Sequence, residues 1–152
     1  MERNIPRMNR AGLVILPVVV VLVISLLVTA GCIQTAPASP AETEGSGYMV
    51  VAPAQAKELI DKNPDLIIID ISSSSNYAKG HLPGSVNYDF GEGSLDRAIP
   101  TLDKNGTYLV YCRVDNTAIK GAKELVGAGF GNVYRLAGNY KAWVDAGYLI
   151  EK

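Results

Sequence analysis

The sequence predicts an α/β domain in three layers, with a central parallel sheet of about five strands and helices on both faces. Three observations carry that reading. Leu66-Ile67-Ile68-Ile69-Asp70-Ile71 is an almost unbroken apolar run rich in isoleucine, the pattern of a strand buried on both faces. Tyr108–Tyr111 and Val133–Leu136 are further apolar segments, each too short to be a buried helix. Between and after these runs lie stretches of helical composition, so strands and helices alternate along the chain.

The elements follow in order. Residues 1–10 carry Arg3, Arg7 and Arg10, and residues 11–30 hold no charge at all. About 20 apolar residues can span a bilayer, whereas the apolar part of a secretory signal usually runs about 7–15, so the segment reads as a signal peptide or a membrane anchor over 1–31. Either reading leaves the basic end inside and the rest of the chain outside. Val28-Thr29-Ala30-Gly31-Cys32 resembles a prokaryotic lipobox, which implies a lipidated Cys32 and a place on the extracytoplasmic face of a prokaryotic cell membrane. Residues 32–47 are rich in Pro, Ser, Gly and Thr and read as a flexible tether.

A single domain is expected over 48–152. Tyr48–Val51 is a strand candidate, and Pro53 opens a helix over Ala54–Lys62. After the 66–71 strand, a turn at Pro83-Gly84 precedes a short strand over Ser85–Tyr88, and Ser94 is placed to cap a helix reaching Ile99. The strand 108–111 leads to a helix from about Thr117 to Ala128, ended by Gly129. A last strand, 133–136, and a helix over Asn139–Ala146 with Trp143 close the domain.

The chain of 152 residues has a formal net charge of −1, and the part from Cys32 onward carries −3, so no basic surface for nucleic acid is expected. One histidine excludes a histidine-built metal site. Two cysteines in such different settings make no disulfide framework.

Chemistry concentrates on Cys112. It follows the buried strand directly and precedes a helix, so Arg113–Asn116 form a turn at the carboxyl edge of the sheet, where open α/β sheets bind ligands. Backbone N–H groups of such a turn, backed by a helix N-terminus, favour a thiolate and can cradle an anion. His81 and Asp70 read as supports for nearby backbone, Trp143 as core filling, and Lys120 and Lys123 as a solvated helix face.

Four segments in order resemble the rhodanese family: Asp70-Ile71-Ser72; Gly80-His81-Leu82-Pro83-Gly84-Ser85; Leu109-Val110-Tyr111-Cys112-Arg113; and Gly129 to Gly138 with Trp143. The resemblance spans residues 48–152. It implies the rhodanese-like fold and a sulfurtransferase in which Cys112 takes sulfane sulfur as a persulfide and passes it to cyanide or a thiol. The implied binding loop is Arg113, Val114, Asp115, Asn116, Thr117 and Ala118, with Asp70 in support and no metal or organic cofactor. The implied partners are a small sulfur compound or a persulfide-carrying protein. Asp115 departs from a loop glycine usual in the family, Asn139 from the second glycine of a pair, and Ser72 and Asn76 from an arginine and a glutamate. A carboxylate at 115 is expected to repel an anionic donor such as thiosulfate and to favour a neutral polysulfide, a persulfide or a protein. The altered loop also admits a second reading, a catalytically weak module that binds sulfur species or a protein partner. Phosphatases with related loops commonly place an arginine six residues after the cysteine, where this chain has Ala118.

Overall fold

The computed structural model describes residues 42–45 and 47–152. Residues 1–41, with the expected leader and Cys32, lie outside that range. In chain order the elements are β1 (Glu42–Glu44), β2 (Tyr48–Val51), α1 (Pro53–Lys62), β3 (Ile67–Asp70), α2 (Ser74–Tyr77), β4 (Val86–Asn87), α3 (Ser94–Ala98), a 3₁₀ turn (Ile99–Thr101), β5 (Thr107–Tyr111), α4 (Asp115–Gly127), β6 (Asn132–Leu136) and α5 (Asn139–Asp145). One sheet has the order β1-β2-β6-β5-β3-β4. Five strands run parallel, and β1 pairs antiparallel with β2. The composition of residues 32–47 reads as a tether, yet within it Glu42–Glu44 is an edge strand.

The alternation along the central strands explains the three layers. Side chains two apart on a strand share a face. Tyr108, Val110 and Cys112 join Ile69, Ile71, Leu95, Ala118, Ala122 and Leu125 in a core between the sheet and α3 and α4. Leu109 and Tyr111 join Ile68, Val51, Ala56, Leu136 and Trp143 in a second core against α1 and α5. Both faces of β3 and β5 are therefore buried, which is why these strands read as continuous apolar runs.

Local signals fix the helix ends. Pro53 occupies the first turn of α1, and the Ala52 N–H donates to Gln55 Oε1 at 2.8 Å. At the far end of α4 the Gly129 N–H donates to the Val126 carbonyl and the Phe130 N–H to the Leu125 carbonyl. That closure requires a left-handed residue, and Gly129 supplies it at φ 93°.

Several element ends shift by a residue from the sequence reading, the short helix α2 is absent from it, and three differences bear on the site. The β4 strand is only Val86–Asn87, and α3 is capped by Gly93 at φ 66°, with Ser94 inside the first turn. The third matters most: α4 begins at Asp115, with extended Val114 as its N-cap, so Asp115 and Asn116 belong to the helix and not to a free loop.

The topology also locates a crevice. From β3 the chain moves outward to β4, whereas from β5 it moves the opposite way to β6. The sheet reverses direction between β3 and β5, and ligands collect beyond the carboxyl ends of strands at such a point.

Candidate active site

Cys112 lies one residue beyond β5, at that reversal point. A cleft of about 270 Å³ opens there, walled by Ser72, Ser73 and Asn76 on the β3 side, by Phe90, and by Cys112 and Thr117 on the β5 side. Cys112 is only 4 % exposed, so its thiol forms the floor and not the rim.

The backbone around the thiol is held at two points. The Cys112 N–H donates to Asn139 Oδ1 at 3.1 Å, and the Tyr140 N–H donates to the Cys112 carbonyl at 3.1 Å. Both partners come from the start of α5. The next amides are different: among the described residues, the N–H groups of Arg113 through Thr117 donate to no acceptor, and the first committed amide is that of Ala118, which donates to the Val114 carbonyl at 3.2 Å. These uncommitted donors sit at the N-terminus of the 13-residue helix α4. Aligned peptide dipoles place positive potential there, so the turn suits a thiolate, a persulfide or a bound anion.

The predicted loop residues divide into two groups. Cys112, Arg113, Val114 and Thr117 line the cleft; Asp115, Asn116 and Ala118 do not. Ala118 is fully buried in the core beneath α4, and Val114 is 56 % exposed at the lip. Asp115 points elsewhere: its Oδ1 accepts from Arg135 Nη1 at 2.6 Å and from Asn139 Nδ2 at 2.9 Å. Pairing with Arg135, a buried residue on β6, offsets the charge that the sequence reading set against an anionic donor. Arg113, the loop's cation, is also occupied. Its Nη2 donates to the carbonyls of Asn76, at 2.9 Å, and Gly80, and its guanidinium lies 3.4 Å from the centroid of the Tyr140 ring. It clamps the 76–80 turn against the Cys112 loop.

Asp70 does not line the cleft: it is fully buried at the end of β3, paired in register with Tyr111, with Oδ1 accepting the Ser72 N–H at 2.8 Å. His81 is outside the cleft, stacked on Tyr77 with ring centroids 3.8 Å apart and its Nδ1 3.1 Å from the Tyr77 carbonyl oxygen. On the opposite face of the sheet, the Tyr111 hydroxyl accepts the Leu82 N–H at 3.0 Å and meets Ser85 Oγ at 3.1 Å. Burial first, and then the Asp70 carboxylate, raise its pKa far above the usual phenol range.

Sequence reasoning missed much of the cleft wall. Asp89 is buried, with Oδ2 accepting the Ser74 N–H at 3.1 Å and Oδ1 the Gly91 N–H at 3.0 Å, so it ties α2 to the 89–91 turn. An aspartate two residues before a glycine was the available signal, since such carboxylates often cap their own turn. Arg135 was missed too. A lone arginine inside an apolar strand is the mark of a buried partner.

A mainly parallel α/β domain with a cysteine at a strand-to-helix turn, and free amides beside it at the sheet's reversal point, belongs to the class of folds whose geometry can hold an anion next to a thiol. The comparisons with known proteins narrow that class. Residues 52–146 match the Rhodanese-like domain family, and the chain belongs to that family. It is similar to the thiosulfate sulfurtransferase GlpE of Ectopseudomonas mendocina, 32 % identical over 98 residues that cover 64 % of this chain and 86 % of the relative. A rhodanese-like domain from an Anabaena protein superposes with a TM-score of 0.60 at 29 % identity, covering 66 % of this chain and 76 % of that one. A rhodanese-related protein from Thermoplasma volcanium shares the fold at 20 % identity and a TM-score of 0.59, over 67 % of this chain and 96 % of that one.

Proposed function

We propose that the protein is a sulfurtransferase that carries sulfane sulfur on Cys112. The observation that carries this reading is the thiol at the floor of a cleft, followed by the uncommitted N–H groups of Arg113–Thr117. In the first half-reaction the Cys112 thiolate attacks the outer sulfur of the donor. With thiosulfate, a new S–S bond forms to Cys112, the donor's S–S bond breaks, and sulfite leaves with the electron pair. The amides of the turn stabilise the negative charge of the outer sulfur. In the second half-reaction a nucleophile such as cyanide or a thiolate takes that sulfur, and the Cys112 thiolate is restored. Two half-reactions on one nucleophile give ping-pong kinetics. Thiosulfate, a polysulfide and a persulfide all present an electrophilic sulfane sulfur, and the pairing of Asp115 with Arg135 lifts the charge objection to thiosulfate. No cofactor enters these steps.

The membrane location belongs to the same proposal and rests on residues 1–32. Cys32 carries the lipid, and the domain works on the extracytoplasmic face. Incorporation of labelled palmitate into the full chain, lost in Cys32→Ser, is the expected result; equal labelling of both overturns it.

A second reading is favoured by the occupied state of Arg113: its guanidinium is on the Asn76 and Gly80 carbonyls, and among the described residues the cleft is lined by no other cation for a donor. A module that binds sulfur species or a protein partner, with little turnover, fits that feature. Thiocyanate formation from cyanide and each donor decides between the two. The sulfurtransferase reading expects turnover by the wild-type chain that is abolished in Cys112→Ser. Equal rates for the two chains favour the binding module.

A further inference from the structure

Asp115 occupies an odd place for a carboxylate. It is the first residue of α4, three residues after the reactive thiol, and its own N–H belongs to the uncommitted set beside the cleft. An acidic side chain in the first turn of a helix is attracted to the free amides of that turn. Left alone, it competes with any anion for the cradle. The structure shows it turned the other way, with Oδ1 held by Arg135 Nη1 at 2.6 Å and Asn139 Nδ2 at 2.9 Å.

The two holders are unequally built. Asn139 is neutral, and its other amide atom is engaged with the Cys112 N–H. Arg135 brings the charge, and it sits on a strand rigidly registered with β5, where Val110 pairs Arg135 across the ladder. The Asp115 carboxylate is 59 % exposed, whereas the Arg135 side chain is 6 % exposed. The fixed member of the pair is therefore the arginine, and the movable member is the aspartate.

We infer that Arg135 is a positioning residue that keeps the Asp115 carboxylate out of the Cys112 cleft, and that this ion pair sets the charge of the reagents the thiol accepts. The inference rests on Cys112 being the reactive thiol, and it deepens the proposed function by assigning a basis for donor selectivity. With the pair intact, anionic and neutral electrophiles approach on comparable terms. With Arg135 uncharged, Asp115 turns to the amides of its own helix and repels the anionic reagent selectively.

Alkylation tests this without relying on sulfur transfer. In each case the Cys112 thiolate displaces iodide as a C–S bond forms and a C–I bond breaks. Iodoacetate is an anion and iodoacetamide is neutral, and they are otherwise close in size. The rate of each is read at Cys112 by peptide mass spectrometry in the full-length chain. In Arg135→Gln, which keeps a hydrogen-bond donor but removes the charge, the iodoacetate-to-iodoacetamide rate ratio is expected to fall by about three- to tenfold, the scale of one charge at short range in a half-wet site. Asp115→Asn in the Arg135→Gln background is expected to restore the wild-type ratio, and Arg135→Lys to fall less than Arg135→Gln. A ratio in Arg135→Gln unchanged to within about a factor of two, or an equal fall in the double variant, overturns the inference. If Arg135→Gln does not fold, Arg135→Lys decides: its shorter cation must lower the ratio, and no change overturns the inference. Failure of the sulfurtransferase reading would show instead as no sulfur on Cys112 from any donor, with the alkylation ratios still responding to Arg135.

Discussion

Asn139 spans the gap between α5 and the Cys112 loop, its Oδ1 accepting the Cys112 N–H at 3.1 Å. It does so from φ 57°, the only positive φ at a non-glycine position among the described residues. Asparagine tolerates that region better than most residues, because its short polar side chain can bond locally. The residue is 3 % exposed, and its Nδ2 donates to the Asp115 carboxylate, so one amide ties the Cys112 backbone before the Arg113–Val114 turn to the Asp115 side chain after it.

Replacing Asn139 separates backbone strain from the bridge. Asn139→Gly keeps the left-handed backbone and loses both hydrogen bonds; Asn139→Ala loses the bonds and pays for the backbone as well. The alanine variant is expected to be less stable than the glycine variant by about 1 kcal/mol in urea denaturation. Both are expected to lose about tenfold or more in kcat/KM for cyanolysis, since a loosened loop misplaces the amides. Glycine and alanine variants with wild-type rates would remove Asn139 from the site's framework.

Arg113 is expected to be a clamp first. In Arg113→Met the carbonyls of Asn76 and Gly80 lose a charged donor and Tyr140 loses the cation over its ring. The cost is about 2 kcal/mol of stability. The Arg113→Lys variant recovers only part of it, because an ammonium cannot spread over the ring and serve the turn together. Denaturation midpoints check this. A methionine variant as stable as wild type would show that the guanidinium holds nothing.

Glu124 supplies a pH prediction. Burial first, and then the nearby Asp96, hold its carboxyl above the usual carboxylate range. A group whose folded pKa is raised contributes stability that is complete below the unfolded value, about 4.3, and lost as pH rises through the folded value. Glu124→Gln should therefore be more stable than wild type at pH 7, by up to about 0.5 kcal/mol for a partly exposed group. The advantage should vanish near pH 3. Thermal melts of both chains at the two pH values check the sign, and a glutamine variant less stable at pH 7 would reverse it.

The parallel sheet and the place of Cys112 were legible because both depend on local pattern. The runs at 66–71, 108–111 and 133–136 are short and rich in β-branched or aromatic residues, which reads as buried strand, and a cysteine directly after one stands at the sheet's edge. The start of α4 was not legible. Asp115 and Asn116 are weak formers of a helix interior, and what marks Asp115 as the first residue of α4, its extended neighbour Val114 and its bonds to Arg135 and Asn139, comes from the fold. Nor could the direction of the Asp115 carboxylate be read, since its partner lies 20 positions away on another strand. Glu42–Glu44 looked like tether because its pairing comes from the neighbouring edge of β2, not from its own composition. The wall formed by Ser72, Asn76 and Phe90 comes together only through the turns after β3 and β4.

The most direct test of the central claim is intact-mass spectrometry of the full-length chain after exposure to thiosulfate, to a polysulfide and to a persulfide, in wild type and in Cys112→Ser. A mass gain of one sulfur atom in wild type from at least one donor, removed by cyanide and absent from Cys112→Ser, is the predicted result. No added sulfur from any donor, or the same gain in Cys112→Ser, would contradict a persulfide carried on Cys112.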